Sequence, residues 1–419
     1  MAGRDPPRLP PRTRAAARVG LAAAGLSRRL GRGAGSVVGG RAILALDGNA
    51  LARLAAGRRV ALVSGTNGKT TTTSLLAAAL ATTGAVVTNA EGANLPPGLA
   101  AALAAGAPGA PAALEVDEAW VAKVVAATRP EVVVLLNLSR DQLDRNNEVR
   151  RLAGSWRQAL AGPSGPAVVA NADDPLVAWG AGAAAAVTWV GAGQPWTADA
   201  SGCPSCGGRI LFRPVGGGAD WSCSACPLRR PQLDVWVEDG KVRTHAGGWA
   251  LRLGLPGRCN QANAALALSA AQHLGARPEA ALAAMAGVGE VGGRYRVVAH
   301  GPVRARLLLA KNPAGWLECL DLIAPAPSPV VVAINARIAD GRDPSWLWDV
   351  PFERLAGRPV VATGERSRDL AVRLHYAEVE HRRIDDMASA VAAAGPGPVD
   401  VVANYTSFQA IAARLGRQS

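Results

Sequence analysis

Lysine is nearly missing from this chain: Lys69, Lys123, Lys241 and Lys311 are the only four among 45 basic residues, and the rest are arginines. Combined with abundant Ala and Gly, that bias is what a GC-rich coding sequence produces. A formal net charge of +13 therefore does not by itself mark a nucleic-acid surface. Long apolar runs are missing too. The most apolar stretch, residues 99–114, is mostly Ala and Gly and is broken by Pro108 and Pro111, which excludes a bilayer-spanning helix there. No charged segment leads into a compact apolar run ahead of a cleavage site, so no secretory leader is expected. Six cysteines in 419 residues are too few for a disulfide scaffold, and 48 Gly and 29 Pro without a fixed repeat exclude collagen-like and low-complexity classes. With 49% hydrophobic and 18% charged residues, the chain reads as a cytoplasmic protein with core material for two or three domains.

The basic residues concentrate at the start, where Arg4, Arg8, Arg12, Arg14, Arg18, Arg28, Arg29, Arg32 and Arg41 face a single acid, Asp5. Residues 1–57 read as an arm with a short helical pattern. Such an arm is either a solvated extension or a surface for anionic lipid headgroups or an acidic partner. From Arg59 onward, strand-like runs at residues 60–63, 86–88, 132–138, 167–170 and 186–190 alternate with helical patterns. Residues 201–232 interrupt that rhythm as an insert, and helical texture returns at 261–273 and 278–286. A second series follows Arg294, with strand-like runs at 305–310, 330–334, 360–362 and 399–403. Strands alternating with helices predict right-handed βαβ units, hence an α/β fold with mostly parallel sheets: one domain over 58–295 and another over 296–419.

The first strand runs directly into Ser64-Gly-Thr-Asn-Gly-Lys-Thr-Thr71, which opens the next helix. Gly65 and Gly68 let the backbone curl so that N–H groups of Thr66, Asn67 and their neighbours point inward at phosphate oxygens. The helix N-terminus, through Thr71, adds its positive field. Lys69 can reach the β- and γ-phosphates, and Thr70 can offer a hydroxyl to Mg²⁺. The competing reading is a helix-capping Gly turn with an incidental Lys. The strand before and helix after favour a nucleotide loop.

This loop resembles the ATP loop of the Mur ligase superfamily, and other segments follow in that family's order. Glu115-Val-Asp-Glu118 is similar to the segment whose Glu binds Mg²⁺. Asn137 to Asp144, Asn171-Ala-Asp-Asp-Pro175 and Leu255 to Asn263 each resemble a family segment, the last lying near the adenine. Gly292-Gly-Arg294 resembles the exit of the central domain, whose Arg reaches the nucleotide. Two departures narrow the match. Gln142 stands where these ligases carry a metal-binding His, and no Lys lies between Lys123 and Lys241 to serve as their carbamylated lysine; Arg157 occupies that region. The family's UDP-binding first domain has no counterpart here.

Cys203-Pro-Ser-Cys206 and Cys223-Ser-Ala-Cys226 are two knuckles 16 residues apart, the spacing of a four-thiolate zinc ribbon. Disulfides are the rival, against which a cytoplasmic ATPase fold argues. A closed tetrathiolate leaves no position for water, so its role is structural. Cys259 and Cys319 read as small buried hydrophobes. A Mur-ligase core without the UDP domain but with such a ribbon is similar to the MurT family, the ATP-dependent subunits of lipid II isoglutaminyl synthases. Segments at 310–316, 339–349 and 403–406 are similar to that family as well.

The resemblance implies a central ATP-binding domain with an inserted zinc ribbon and a Rossmann-like C-terminal ligase domain. It implies amidation of the α-carboxyl of D-glutamate in the lipid II stem peptide, with ammonia supplied by a GatD-like glutaminase. Lys69 and Glu115 would be catalytic, with Thr70 and Glu115 holding Mg²⁺. Asn263 and Arg294 would hold the nucleotide. Glu118, Asp144 and Asp174 read better as caps or ion pairs. An Asp of the family's ligase subunit completes the glutaminase Cys–His pair; Asp349 is the first candidate and Asp343 the second, with a Trp-rich core and a capping Asp as the alternative. An amino-acid-adding ligase is the rival of like chemistry. A nucleic-acid-binding P-loop protein is the rival of another class, weakened because Phe212 and Trp221 are the only aromatics near the knuckles.

Overall fold

The computed structural model describes residues 8–31, 35–89, 92–140, 149–191, 193, 196–215, 218–291 and 294–415. It divides into two compact units, residues 1–138 with 148–289 and residues 139–147 with 290–419.

The first unit begins with α1 (Pro11–Arg29), α2 (Ser36–Leu46) and α3 (Ala50–Ala55). Strands and helices then alternate: β1 (Val60–Ser64), α4 (Lys69–Ala81), β2 (Val87–Thr88), α5 (Pro96–Ala105), β3 (Ala112–Glu115), α6 (Val121–Thr128), β4 (Val132–Leu135), α7 (Val149–Leu160), β5 (Ala167–Asn171), α8 (Pro175–Ala181) and β6 (Val187–Gly191). A hairpin of β7 (Ile210–Val215) and β8 (Gly218–Cys223) stands apart from the main sheet. After it come β9 (Val235–Glu238), β10 (Lys241–Thr244), β11 (Gly247–Ala250), α9 (Arg258–His273) and α10 (Pro278–Ala286). The main sheet runs β11-β10-β9-β6-β5-β4-β1-β3-β2. It is parallel from β2 through β9 and antiparallel only in its last two pairings.

The central strands are apolar on both faces because both are covered. On β1, Val60 and Leu62 join one cluster while Ala61 and Val63 join another; on β4, Val133 and Leu135 oppose Val132 and Val134 in the same way. Helices α5 to α8 cover the first face, and α4, α9 and α10 cover the second, giving three layers. The strand expected over 132–138 ends at Leu135. Its continuation leaves the sheet where the Leu138 amide donates to Asp174 Oδ2 at 2.8 Å.

The Arg-rich N-terminal stretch is built into this unit. Ala16, Ile43, Ala50, Leu51, Leu54 and Ala55 share the core cluster of β1 and α5. The packing is close enough to require glycine: a Cβ on Gly40 would lie 1.7 Å from the Pro97 carbonyl oxygen. Buried Asp47 ties the helices together by accepting from Thr13 Oγ1 at 2.6 Å and Arg53 Nη1 at 2.9 Å. Thr13's hydroxyl, more than any other contact, holds the Asp47 carboxyl below its ordinary range.

The second unit contains β12 (Tyr295–His300), β13 (Val303–Leu309), α11 (Pro313–Leu322), β14 (Val330–Ala333), β15 (Val360–Thr363), α12 (Ser367–Tyr376), β16 (His381–Arg383), α13 (Met387–Ala392), β17 (Gly397–Ala403) and α14 (Tyr405–Leu415). Its sheet runs β12-β13-β17-β14-β15-β16, parallel except for the β12–β13 hairpin. Alternate residues of β14 again feed two clusters, Val330 and Val332 on one face, Val331 and Ala333 on the other. This is a Rossmann-like three-layer α/β unit.

Candidate functional site

The loop between β1 and α4 is held by contacts that only glycine permits. Gly65 has φ +146°, and a Cβ there would meet Leu136 Cβ at 2.8 Å and the backbone of Asn137 at 3.0 Å. Gly68 has φ +85°, and a Cβ there would meet Asn263 Oδ1 at 2.7 Å. The strap is fixed from β4's exit. The Thr66 amide donates to the Asn137 carbonyl at 2.9 Å, the Asn67 amide to Asn137 Oδ1 at 2.9 Å, and Asn137 Nδ2 to the Asn67 carbonyl at 3.0 Å. The 13-residue helix α4 starts at Lys69 with no side chain capping it at Gly68.

Lys69 is buried, and its Nζ donates to the carbonyls of Gly65 (2.5 Å) and Thr66 (3.1 Å) and to Glu118 Oε2 (3.0 Å). Thr70 Oγ1 donates to Glu115 Oε2 at 2.8 Å, and Asn94 Nδ2 donates to Glu115 Oε1 at 3.2 Å. Asn89 clamps the backbone of Glu115 from both sides, accepting from its amide at 2.8 Å and donating to its carbonyl at 2.8 Å. A hydroxyl and a carboxylate thus sit side by side at the strand end next to the phosphate loop. That is an oxygen donor set suited to a hard divalent cation. Asn263, on α9, is brought against Gly68 by the packing of α9 on α4.

Glu118 reads in the sequence as a cap or a surface ion pair; in the structure it is buried against Lys69. Asn89 and Asn94 belong to no motif that marks them as site residues. Their signal is position: both follow the carboxyl end of β2, where ligands of open parallel sheets bind. Asp174 is the cap it was read to be, accepting from Leu176 N at 2.8 Å and Val177 N at 3.2 Å. Complete burial pushes its carboxyl up to about 6 despite those amides and that of Leu138. Gln142 and Asp144 lie outside the described residues.

The four knuckle cysteines converge, their sulfurs all within 4.8 Å of one another. Cys203 and Cys226 are 3.7 Å apart, and Cys206 and Cys223 are 3.5 Å apart. A tetrahedral ion with bonds of about 2.3 Å needs sulfurs roughly 3.8 Å apart, so this cluster can hold a metal. The Gly208 amide points at Cys206 Sγ (3.4 Å) and the Ala225 amide at Cys223 Sγ (3.3 Å). The Ala225 amide above all lowers the Cys223 thiol to about 7, whereas at Cys226 the Leu228 amide is outweighed by burial and the neighbouring sulfurs, which raise that thiol to about 12. The Asn171–Pro175 motif anchors this ribbon. Trp221 Nε1 donates to the Ala172 carbonyl at 3.0 Å, and Arg230 pairs with Asp173 at 2.5 Å. Cys319 is buried, and desolvation pushes its thiol up to about 12. Cys259 opens α9, half-buried.

In the second unit, Arg294 leads into β12, its carbonyl accepting from the Leu309 amide at 3.1 Å. Asn335 and Asn404 follow the carboxyl ends of β14 and β17 and bond to each other. The Asn335 amide donates to Asn404 Oδ1 at 3.1 Å, and Asn404 Nδ2 donates to the Asn335 carbonyl at 2.6 Å. Buried Asp340 accepts from the Thr406 amide at 2.8 Å and its hydroxyl at 2.5 Å, fixing the start of the 339–349 segment. That segment ends in a 3-10 turn over Ser345–Asp349, with Trp346 buried and Trp348 exposed. Asp343 Oδ1 caps the turn through Ser345 N at 2.9 Å, whereas Asp349 is half-exposed and 3.6 Å from Arg140.

Family models match in the same order as these units: the Mur ligase middle domain over residues 63–200 and the MurT ligase C-terminal domain over 309–408. The chain thus carries a Mur ligase middle domain followed by a MurT ligase C-terminal domain. It is 28% identical to the MurT subunit of lipid II isoglutaminyl synthase from Streptococcus pneumoniae over 387 residues, covering 86% of each chain. The Staphylococcus aureus (strain COL) MurT subunit is also 28% identical, with 85% of this chain and 87% of that one covered. Among solved structures, a pseudomurein peptide ligase type C from Methanothermus fervidus shares the fold with a TM-score of 0.68 at 20% identity, over 86% of this chain and 79% of that one. The chain therefore carries the expected fold, a parallel-sheet Mur ligase unit with a four-cysteine cluster and an α/β unit after it.

Proposed function

We propose that this chain is the ATP-consuming ligase subunit of a lipid II isoglutaminyl synthase. It would convert the α-carboxyl of D-glutamate in the stem peptide to the amide of D-isoglutamine. The observation that carries this reading is the match to MurT subunits over 86% of the chain, coupled to a phosphate loop whose Lys69, Thr70 and Glu115 are already assembled.

A carboxylate resists attack by ammonia because its charge and resonance disfavour the tetrahedral intermediate. Transfer of the γ-phosphoryl group of ATP to a carboxylate oxygen gives an acyl phosphate and ADP. Ammonia then forms the C–N bond, the C–O bond to phosphate breaks, and the nitrogen loses a proton. Residues 65–71 would cradle the phosphates through backbone amides. Lys69 would neutralise charge on the transferring group. Thr70 and Glu115 would hold Mg²⁺, which supplies charge compensation when bound. Asn263 and Arg294 would hold the nucleotide, and the four cysteines a structural Zn²⁺ that keeps the ribbon folded.

Ammonia would come from a GatD-like glutaminase subunit, which Asp349 would serve by orienting its catalytic His. Asp349 is favoured over Asp343, whose carboxylate caps its own turn. The test is ATP turnover with a lipid-linked muropeptide in the reconstituted complex. Lys69→Ala is expected to abolish turnover with either glutamine or ammonium, and Asp349→Asn to abolish only the glutamine-dependent reaction. Turnover stimulated by a free amino acid but not by ammonium would refute the amidation reading.

A further inference from the structure

Helix α1 of the N-terminal hairpin is inside out. The face of α1 turned to the protein carries Thr13, Ala16, Ala17, Gly20, Ala24 and Ser27, all buried. The bulky residues face away: Val19, Leu26 and Leu30 are 50%, 59% and 60% exposed. A surface helix ordinarily shows the reverse, with its large apolar side chains in the core. Close packing explains the inner face, since a Cβ on Gly20 would lie 2.3 Å from Ile43 Cγ1 and one on Gly39 2.6 Å from the Gly20 carbonyl oxygen. It does not explain the outer one.

The outer face is ordered. Ala15, Val19, Ala22 and Leu26 recur at helical spacing and form one stripe along α1, which Leu30 extends at the C-cap. At 100° per residue, Arg14, Arg18 and Arg29 fall along one flank of that stripe. The outward side of α2 adds Val37 and Val38, 43% and 51% exposed. Residues 11–46 contain no Asp or Glu. No helix among the described residues is long and apolar enough to cross a membrane. An apolar stripe bordered by arginines and free of acids is the pattern of a helix lying in a bilayer interface, with side chains in the acyl boundary and cations at the headgroups.

We infer that the α1–α2 hairpin is a peripheral docking surface for an anionic lipid bilayer, with Val19, Leu26 and Leu30 inserted and Arg14, Arg18 and Arg29 at the phosphates. Charge complementarity selects this occupant over a neutral apolar partner. The inference does not rest on the proposed reaction.

The test is flotation of the full chain with vesicles of phosphatidylglycerol and phosphatidylcholine in equal parts, compared with phosphatidylcholine alone. The wild type is expected to float with the anionic vesicles only, and less at high salt. The triple variant Arg14→Gln/Arg18→Gln/Arg29→Gln should lose about a hundredfold in partitioning. Val19→Ser/Leu26→Ser/Leu30→Ser should lose at least tenfold. All six side chains are exposed, so both variants should keep the wild-type melting temperature and ATP turnover. Equal recovery with both vesicle types, no recovery with either, or retention by the serine variant overturns the inference. So does a concentration-dependent dimer abolished by the serine variant, which would assign the face to a second copy.

Discussion

Replacing Glu118 with glutamine separates two roles that a buried carboxylate beside a phosphate-loop lysine can have. The Lys69 ammonium and the Glu118 carboxylate are 3.0 Å apart with side chains 5% and 11% exposed, so their bond is shielded from solvent. The variant keeps an amide oxygen for Lys69, and the Gly65 and Thr66 carbonyls remain. The loss is thus smaller than that of a wholly stranded charge, about 2 kcal/mol, the worth of one hydrogen bond to a charged group. In a unit of this size that corresponds to a fall in melting temperature of roughly 5 °C without nucleotide. If Lys69 exchanges Glu118 for a γ-phosphate when Mg-ATP binds, the bound form does not suffer that loss. By linkage Mg-ATP should then bind up to about 30-fold more tightly to Glu118→Gln than to wild type. Thermal melts with and without Mg-ATP, together with calorimetric titration, measure both quantities. An unchanged melting temperature with weaker Mg-ATP binding would refute the exchange and place Glu118 on the cation instead.

Three further outcomes follow from the geometry. Cys206→Ser should release one equivalent of bound zinc per chain, seen by elemental analysis, and shift the fluorescence of buried Trp221 to the red; full metal retention would count against a tetrathiolate site. Gly40→Ala should destabilise the first unit by about 2–3 kcal/mol in urea titration, because the new Cβ would lie 1.7 Å from a backbone oxygen that cannot rotate away. The third outcome concerns Asp174, whose pKa of about 6 when folded lies above the 3.8 of the unfolded chain. The folded state keeps a proton that the unfolded state gives up, so stability falls as pH rises from about 4 to about 6, by at most about 3 kcal/mol. Asp174→Asn keeps the cap oxygen and loses this titration. Its stability relative to wild type should rise between pH 4 and pH 7, and an offset identical at both would refute the assignment.

The shape of the loop was legible because its signal is local. The glycine spacing, the lysine and the threonine sit within one strand–turn–helix unit, although Asn137 at the exit of β4 is what straps the loop in place. The cysteine knuckles were legible for the same reason, each being a short turn that aims two sulfurs. Sequence periodicity also announced the alternation of strands and helices, since a strand buried on both faces must read as a continuous apolar run. Short elements escaped this reading. The four residues of β3 include two alanines and carry little strand propensity, yet β3 pairs with β1 and delivers Glu115.

What the sequence alone determined is the type of chemistry each segment carries. What only the tertiary structure decided is which distant segments share a site, and which face of a helix is turned inward. Glu118 reaches Lys69 across 49 positions of chain, and Asn263 meets Gly68 because α9 packs on α4. The N-terminal arginines gave no sign that their helices bury glycine and alanine rather than leucine. That choice was made by how closely α1, α2 and α5 approach, a distance set by the whole core and encoded in no single helix.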